Sequence, residues 1–429
     1  MHTRDGSKSS SRWILFSVYI VFLTLLPSGT IYGVNVKVIV FIPLAIFVAQ
    51  SLAQETMALA QFAFCAALLG IVAAATVRSF ANPFYSDLAL SQAKDVITTF
   101  AGCLFVRVFT ATEIDRERFV RLCLYTVSFG SLLKVVLLVY SLHTGTAVSD
   151  IVDHISLIFG VKLMSMELGD IGGRLQLPSD NLLPIVMFIV IGLRRRLGIG
   201  GPLAVAIVCL LTVSSLYTFS RFIWVSTVLG AALGMLISRR DKMVLLYLAI
   251  IGAVTAFFFP MLSTLITLRF SSSLADTSDM YRVWQIVALK RFFWNAPLFG
   301  NGLGSYALDH KRSVEVPYAY EVQILALLGQ MGLVGTAFLI ALLINYYRKA
   351  FNFRPGTRLY HAVLLVLLID FIGAGFFNPD LLVSMSAVSY GLIFVMARMW
   401  FRPEKASIKS CRVELVVPSL PPQTAPFRR

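Results

Sequence analysis

The chain has 429 residues, of which 58% are hydrophobic and only 14% charged, with a formal net charge of +15 and a mean hydropathy of +0.80. No soluble domain covers that much apolar surface, so the composition excludes a string of soluble domains and defines a polytopic membrane protein built as one helical bundle. The positive charge raises nucleic acid as a partner, but the placement of the basic residues decides against it, as follows.

A helical span needs roughly 20 apolar residues. In chain order the candidate spans are Trp13–Leu26, Val36–Leu52, Met57–Val77, Ala93–Ala111, Phe119–Leu142, Asn181–Leu193, Gly200–Phe219, Phe222–Ser238, Met243–Leu268, Val322–Ile344, Leu359–Phe377 and Leu381–Trp400. Arg4, Lys8 and Arg12 precede the first run as in a signal peptide, but no small-residue cleavage site follows, so it is kept as a span. The expected fold is therefore all-α, a bundle of about 12 transmembrane helices. Cys65, Cys103, Cys123 and Cys209 lie in apolar segments, away from Cys411 and without metal-ligand spacing, and read as small core hydrophobes.

An even number of spans puts both termini on one side. With that side cytoplasmic, the inside loops carry Arg116, Arg118 and Arg121; Arg194, Arg195 and Arg196; Arg239, Arg240 and Lys242; Arg348, Lys349, Arg354 and Arg358; and a basic tail. Roughly twice as many Lys and Arg fall inside as outside, as the positive-inside rule requires. Two long external loops follow, Ser141–Asp180 and Arg269–Glu321, with short external turns at Ser220–Arg221 and Asn378–Asp380. Residues 1–402 form one transmembrane domain, 269–321 its long external loop, and 403–429 a Pro-, Ser- and basic-rich tail expected to be disordered in the cytoplasm.

In the first long loop, Ile151–Met166 has helical apolar spacing and is expected to lie along the membrane surface, broken by Gly169, Gly172 and Gly173. In the second, Tyr281–Phe293 is amphipathic and ends near Pro297. Gly300, Gly302 and Gly304 are expected to form a tight, mobile connection. Gly230 and Gly234, and the Gly329/Gly332/Gly335 series, give small faces for close helix packing.

The long polar interval from Asp279 holds the candidate chemistry. Arg221, between two apolar runs, is either a snorkelling interfacial arginine or a bidentate clamp on phosphate; an external arginine departs from the charge rule. Arg282, near Tyr281 and Trp284, reads as a second phosphate ligand beside a sugar-stacking platform, or as part of an aromatic belt. Arg174, Arg269 and Arg291 are lesser phosphate candidates, and Tyr318 and Tyr320 join the aromatic substrate-binding set. Glu321 opens the span at Val322. It is either a carboxylate at the positive end of a helix dipole or a partly desolvated general base for a sugar hydroxyl. Asp370, an acid inside a span, is expected to pack helices or line a channel. No HExxH, DxD, P-loop or Gly-x-Ser-x-Gly pattern occurs, so zinc protease, metal-nucleotide transferase, NTPase and serine hydrolase lose support; no metal and no cofactor are expected.

A Ser-Arg pair opening a span at Ser220–Arg221, an Arg-x-x-Trp amphipathic segment, the Pro297–Tyr306 run and a span with Gly329 and Gly332 together resemble the O-antigen ligase and Wzy polymerase superfamily over roughly Arg174 to Gly335. In that family two external arginines face the diphosphate of an undecaprenyl-linked glycan; they correspond to Arg221 and Arg282. The ligase branch carries a histidine at the mouth of the following span. Counting back from Gly332, that position is Glu321 here. The resemblance thus implies a metal- and nucleotide-independent glycosyltransferase of the bacterial inner membrane, acting on the periplasmic face. Glu321 would take the acceptor proton while Arg221 and Arg282 hold the departing diphosphate. A polymerase of lipid-linked repeat units is the first expectation, and a ligase to lipid A core the second. A non-enzymatic lipid-linked sugar transporter comes third, weakened by the absence of inverted repeats. The implied partners are the undecaprenyl-diphosphate-linked oligosaccharide, membrane lipids and a chain-length regulator.

Overall fold

The structure is a computed structural model that describes residues 6–26, 30–31, 34–54, 58–81, 85–159, 164–167, 173–238, 243–257, 263, 273–311, 313 and 316–399. Met1–Met399 packs as one unit. The basic tail 403–429 and Arg269 lie outside the described residues.

The helices are α1 (Gly6–Leu25), α2 (Val36–Gln54), α3 (Ala58–Phe80), α4 (Ser86–Phe109), α5 (Glu113–Thr144), α6 (Val148–Phe159) and α7 (Leu183–Gly192). They continue with α8 (Gly201–Leu216), α9 (Arg221–Ile237), α10 (Met243–Phe257), α11 (Ser273–Trp294), α12 (Gln323–Tyr347), α13 (Arg358–Gly373) and α14 (Ser386–Arg398). Among the described residues four helices are long and apolar enough to cross a membrane, namely Ala63–Phe80, Glu113–Thr144, Gln323–Tyr347 and Arg358–Phe376; other apolar helices are shorter, at 10–17 residues.

The chain is mostly helical, as expected, with two short antiparallel hairpins beside the helices among the described residues. Thr30–Ile31 pairs with Val34–Asn35, and Met164–Glu167 with Gly173–Gln176. The expected surface helix 151–166 is accordingly α6, which starts at Val148 and ends at Phe159, before the strand that takes up Met164–Glu167. Strand pairing satisfies the backbone groups of a segment whose glycine neighbours do not favour helix.

Helices α7 and α14 form the middle of the bundle. Leu183–Ile191 and Ser386–Ala397 are buried on every face, as a helix apolar all round must be. Glycines bring α9 against α7: Gly230 lies against the backbone of Pro184, and Gly234 against Ile191 and Gly192. A side chain at either position would separate the two helices.

The expected mobile connection at Gly300–Gly304 is instead a packed turn. Helix α12 is interrupted at Gly332, whose backbone turns to φ 67° and ψ −177°. The backbone groups this releases are taken up by the segment before α12. The Leu333 and Val334 amides donate to the Pro297 and Leu298 carbonyls at 2.9 and 3.0 Å, and the Asn301 and Gly302 amides donate to the Gly329 and Gln330 carbonyls at 2.9 and 2.8 Å. Non-helical backbone is tolerated at such depth only when it is paired inside the protein. Gly302 (φ 102°) touches Ser79 and Gly304 (φ 75°) touches Ala89, so the turn is wedged between α3, α4 and α12. Its glycines serve positive φ and close approach rather than flexibility. Gln92 and Gln330 close the wedge from the side, donor to acceptor at 2.7 Å.

The contacts sort the loops into two sets. Ser79 meets Leu303, Asn181 meets Asp380, and Arg282 meets Glu321. At the other ends of these helices Arg116 donates to the Arg398 carbonyl and Arg196 pairs with Glu113.

Candidate anion and proton site

Arg282 lies in the third turn of α11 and reaches toward the start of α12. Its Nε donates to Glu321 Oε2 at 2.9 Å, and each of the two side chains is about a quarter exposed. The Glu321 amide donates to Gln285 Oε1 at 3.1 Å. Gln285 is one turn from Arg282 on the same face of α11, so one helix face grips both the backbone and the carboxylate of Glu321. The buried row Gln285, Ala288, Leu289 and Phe292 seats that face against the loop and α12.

The aromatic partner of Arg282 comes from elsewhere in the chain. Its guanidinium lies over the ring of Phe377, 5.9 Å from the centroid, and Phe377 stacks on Phe222 with centroids 5.3 Å apart. Phe222 follows Arg221, the first residue of α9. Ser220 caps that helix, its side chain accepting from the Ile223 amide. The preceding residue, Phe219, has φ 48°, unusual for a bulky side chain, and is buried. This strained turn sets where Arg221 starts its helix. The structure therefore brings Arg282 and Glu321 into direct contact and joins the Arg221 segment to them through Phe222 and Phe377.

The other predicted residues divide. Tyr281 and Trp284 are exposed and form an edge-on pair, centroids 5.4 Å apart, available as a stacking surface. Tyr318 and Tyr320 belong to the core of the loop, not to an open surface. The Tyr320 hydroxyl donates to the His310 carbonyl at 2.8 Å and accepts from the Ala307 amide at 3.0 Å. Burial holds it well above the usual tyrosine range. The Tyr318 hydroxyl lies 3.1 Å from Ser91 Oγ, and burial raises it too. Arg291 pairs with Asp309 at 3.6 Å and opens onto a different groove. Arg174 sits in the second strand of the 164–176 hairpin, and its side chain is outside the described residues. Asp370 accepts from Ser226 Oγ at 2.9 Å and, with Asn181 and Phe222, lines a small crevice beneath the site.

Three features escaped the sequence reading. Phe377 is one. Asn378 is the second: its side-chain nitrogen Nδ2 is buried and has no hydrogen-bond acceptor among the described residues. The third is Lys134, fully buried in the middle of α5. Its Nζ donates to Asp180 Oδ2 at 3.0 Å and to the Ser214 carbonyl at 2.9 Å. Asp180 also accepts from the Leu177 amide at 2.8 Å. The pair pins the turn Pro178–Leu182, whose next residue, Asn181, donates to Asp380 at 2.8 Å. Gln323 in turn accepts from the Leu381 amide. A lysine in an apolar run and an aspartate 46 residues later show their pairing only in three dimensions.

Among the described residues no group of three or more His, Cys, Asp or Glu side chains is placed to hold a metal ion. No protein-family model matches the chain, and no curated protein matches it. Fold and composition define a mostly helical protein in which, among the described residues, four helices are long and apolar enough to cross a membrane.

Proposed function

We propose that the chain is a glycosyltransferase of the bacterial inner membrane that joins undecaprenyl-diphosphate-linked glycan repeat units on the periplasmic face, a polysaccharide polymerase. The observation that carries this reading is the Arg282–Glu321 contact: a cation suited to phosphate and a carboxylate suited to a proton share one external-loop site. The Asn378 side-chain Nδ2, without an acceptor among the described residues, adds a donor beside Phe377 for a ligand oxygen. The sorting of loop contacts into two sets supports the alternation of loops between two faces that the twelve-span arrangement with both termini cytoplasmic requires.

In this mechanism the donor diphosphate competes with Glu321 for Arg282 and, with Arg221, draws the guanidinium away. Glu321 is then free to take the proton of the acceptor hydroxyl. The hydroxyl oxygen bonds to C1 of the donor glycan, the bond from C1 to the diphosphate oxygen breaks, and undecaprenyl diphosphate leaves with the electron pair. Tyr281 and Trp284 offer sugar-stacking faces at the rim.

The test is turnover of a lipid-linked repeat unit by the purified protein in detergent. Longer lipid-linked chains are the expected product. Transfer of a whole chain to lipid A core without elongation would make it a ligase instead, and binding without any bond formation would make it a carrier.

A further inference from the structure

A second groove lies where the end of α3 meets the latter half of α11. It has a volume of about 650 Å³, and its wall includes Arg78, Tyr85, Arg291, Asn295, Tyr306 and Asp309. Lys311 extends the positive charge, its Nζ 5.1 Å from the centre of the Tyr306 ring. Among the described residues, Arg78 and Arg291 in the wall and Lys311 beside it thus outnumber one carboxylate, Asp309, which is held by Arg291. The Arg78 guanidinium forms no ion pair among the described residues. The groove is therefore short of negative charge and has the room to receive it.

Its position selects the source of that charge. Arg78 is in the last turn of Ala63–Phe80, a helix long and apolar enough to cross a membrane. That places it where lipid headgroups lie. Exposed apolar side chains flank the mouth: Phe80, Trp294, Leu298, Phe299 and Leu308. Down the same helix Leu69 and Val77 are exposed as well. A soluble anion has no use for such a rim, whereas acyl or prenyl chains would cover it.

The geometry points to this groove as a binding site for an anionic lipid, one whose phosphate headgroup carries a net negative charge, with the phosphate between Arg78 and Arg291 and the chains along the outer face of α3. It is separate from the Arg282–Glu321 contact and does not rest on the glycosyl-transfer reading. Along α11, Arg282 and Arg291 are nine positions apart in sequence, which turns them to opposite sides of the helix.

The test uses the full-length protein, delipidated in a neutral detergent, with native mass spectrometry and thermal shift as readouts. The probes are phosphatidylglycerol, phosphatidylcholine and inorganic phosphate. Phosphatidylglycerol should bind saturably and better than phosphatidylcholine, and inorganic phosphate should not compete at equal concentration. The double variant Arg78→Gln with Arg291→Gln should weaken phosphatidylglycerol binding by about ten-fold or more, since each basic residue near a lipid surface contributes a factor of several. Asp309→Asn, which removes the opposing carboxylate, should strengthen it, and Arg348→Gln, an exposed cation at the far end of α12, should leave it unchanged. Equal binding of the two lipids, undiminished binding by the double variant, weaker binding by Asp309→Asn, or competition by inorganic phosphate would each overturn the assignment.

Discussion

Lys134→Met is the perturbation whose cost the structure fixes most closely. Lys134 is 0% exposed and Asp180 1%, so neither charge has water to fall back on. Removing the cation leaves the Asp180 carboxylate buried without it, and leaves the Ser214 carbonyl without that donor. Breaking one side of a buried ion pair costs about 3–5 kcal/mol, most of it the penalty of the stranded charge. Asp180→Asn should cost a similar amount, because the ammonium is then the stranded group. The double variant Lys134→Met with Asp180→Asn carries no buried charge, and its asparagine oxygen still accepts from the Leu177 amide. It should recover at least half of the loss, giving a coupling energy of about 2 kcal/mol or more. The assay is denaturant unfolding of the purified protein in detergent followed by circular dichroism, on wild type, both single variants and the double. If the two single losses simply add in the double variant, or if Lys134→Met unfolds at the wild-type midpoint, the reasoning about this pair is wrong.

Arg282→Ala should lower turnover by about 10²–10³, the range for losing one group that stabilises transition-state charge, yet cost under about 1 kcal/mol of stability, because the ion pair is partly exposed; steady-state rates and unfolding midpoints measured side by side check both halves. Gly302→Ala should destabilise far more than Gly145→Ala. Both have positive φ, which costs about 1–2 kcal/mol for a side chain, but a Cβ at Gly302 meets Ser79 whereas one at Gly145 meets nothing within 4 Å; thermal unfolding of the two variants decides it. Burial raises the Tyr320 hydroxyl, so the unfolded chain gives up that proton first as pH rises past about 10. Its contribution is present in full below that pH and declines above it, so Tyr320→Phe should flatten the alkaline loss of stability in a pH series of unfolding midpoints.

What could be read from the sequence was whatever repeats locally. The apolar runs, the basic clusters at Arg116–Arg121 and Arg194–Arg196, and the polar interval before Val322 are all contiguous signals. The contact between Arg282 and Glu321 was accessible because both residues bracket one loop. The glycines of the packed turn at Gly300–Gly304 suggest mobility in the sequence, since glycine serves flexibility and close backbone approach equally well, and only Ser79, Ala89 and Gln330 reveal which applies. Gly332 looked like a packing face and is a helix break, because its freed amides find carbonyls 36 residues earlier, from Leu333 to Pro297. Phe377 was invisible for the same reason: nothing near it in sequence announces a cation.

The central claim is that Glu321 accepts the proton while Arg282 holds the anion. Its most direct test is the chain-length distribution made by purified Glu321→Gln from a lipid-linked repeat unit. The amide keeps the size and the hydrogen-bond acceptor toward Arg282 but cannot act as the base. The account predicts elongation reduced by about 10²-fold or more, with the unfolding midpoint close to wild type and donor binding at least as tight, since the amide competes less for Arg282. Near wild-type chain lengths and rates from that variant would contradict it.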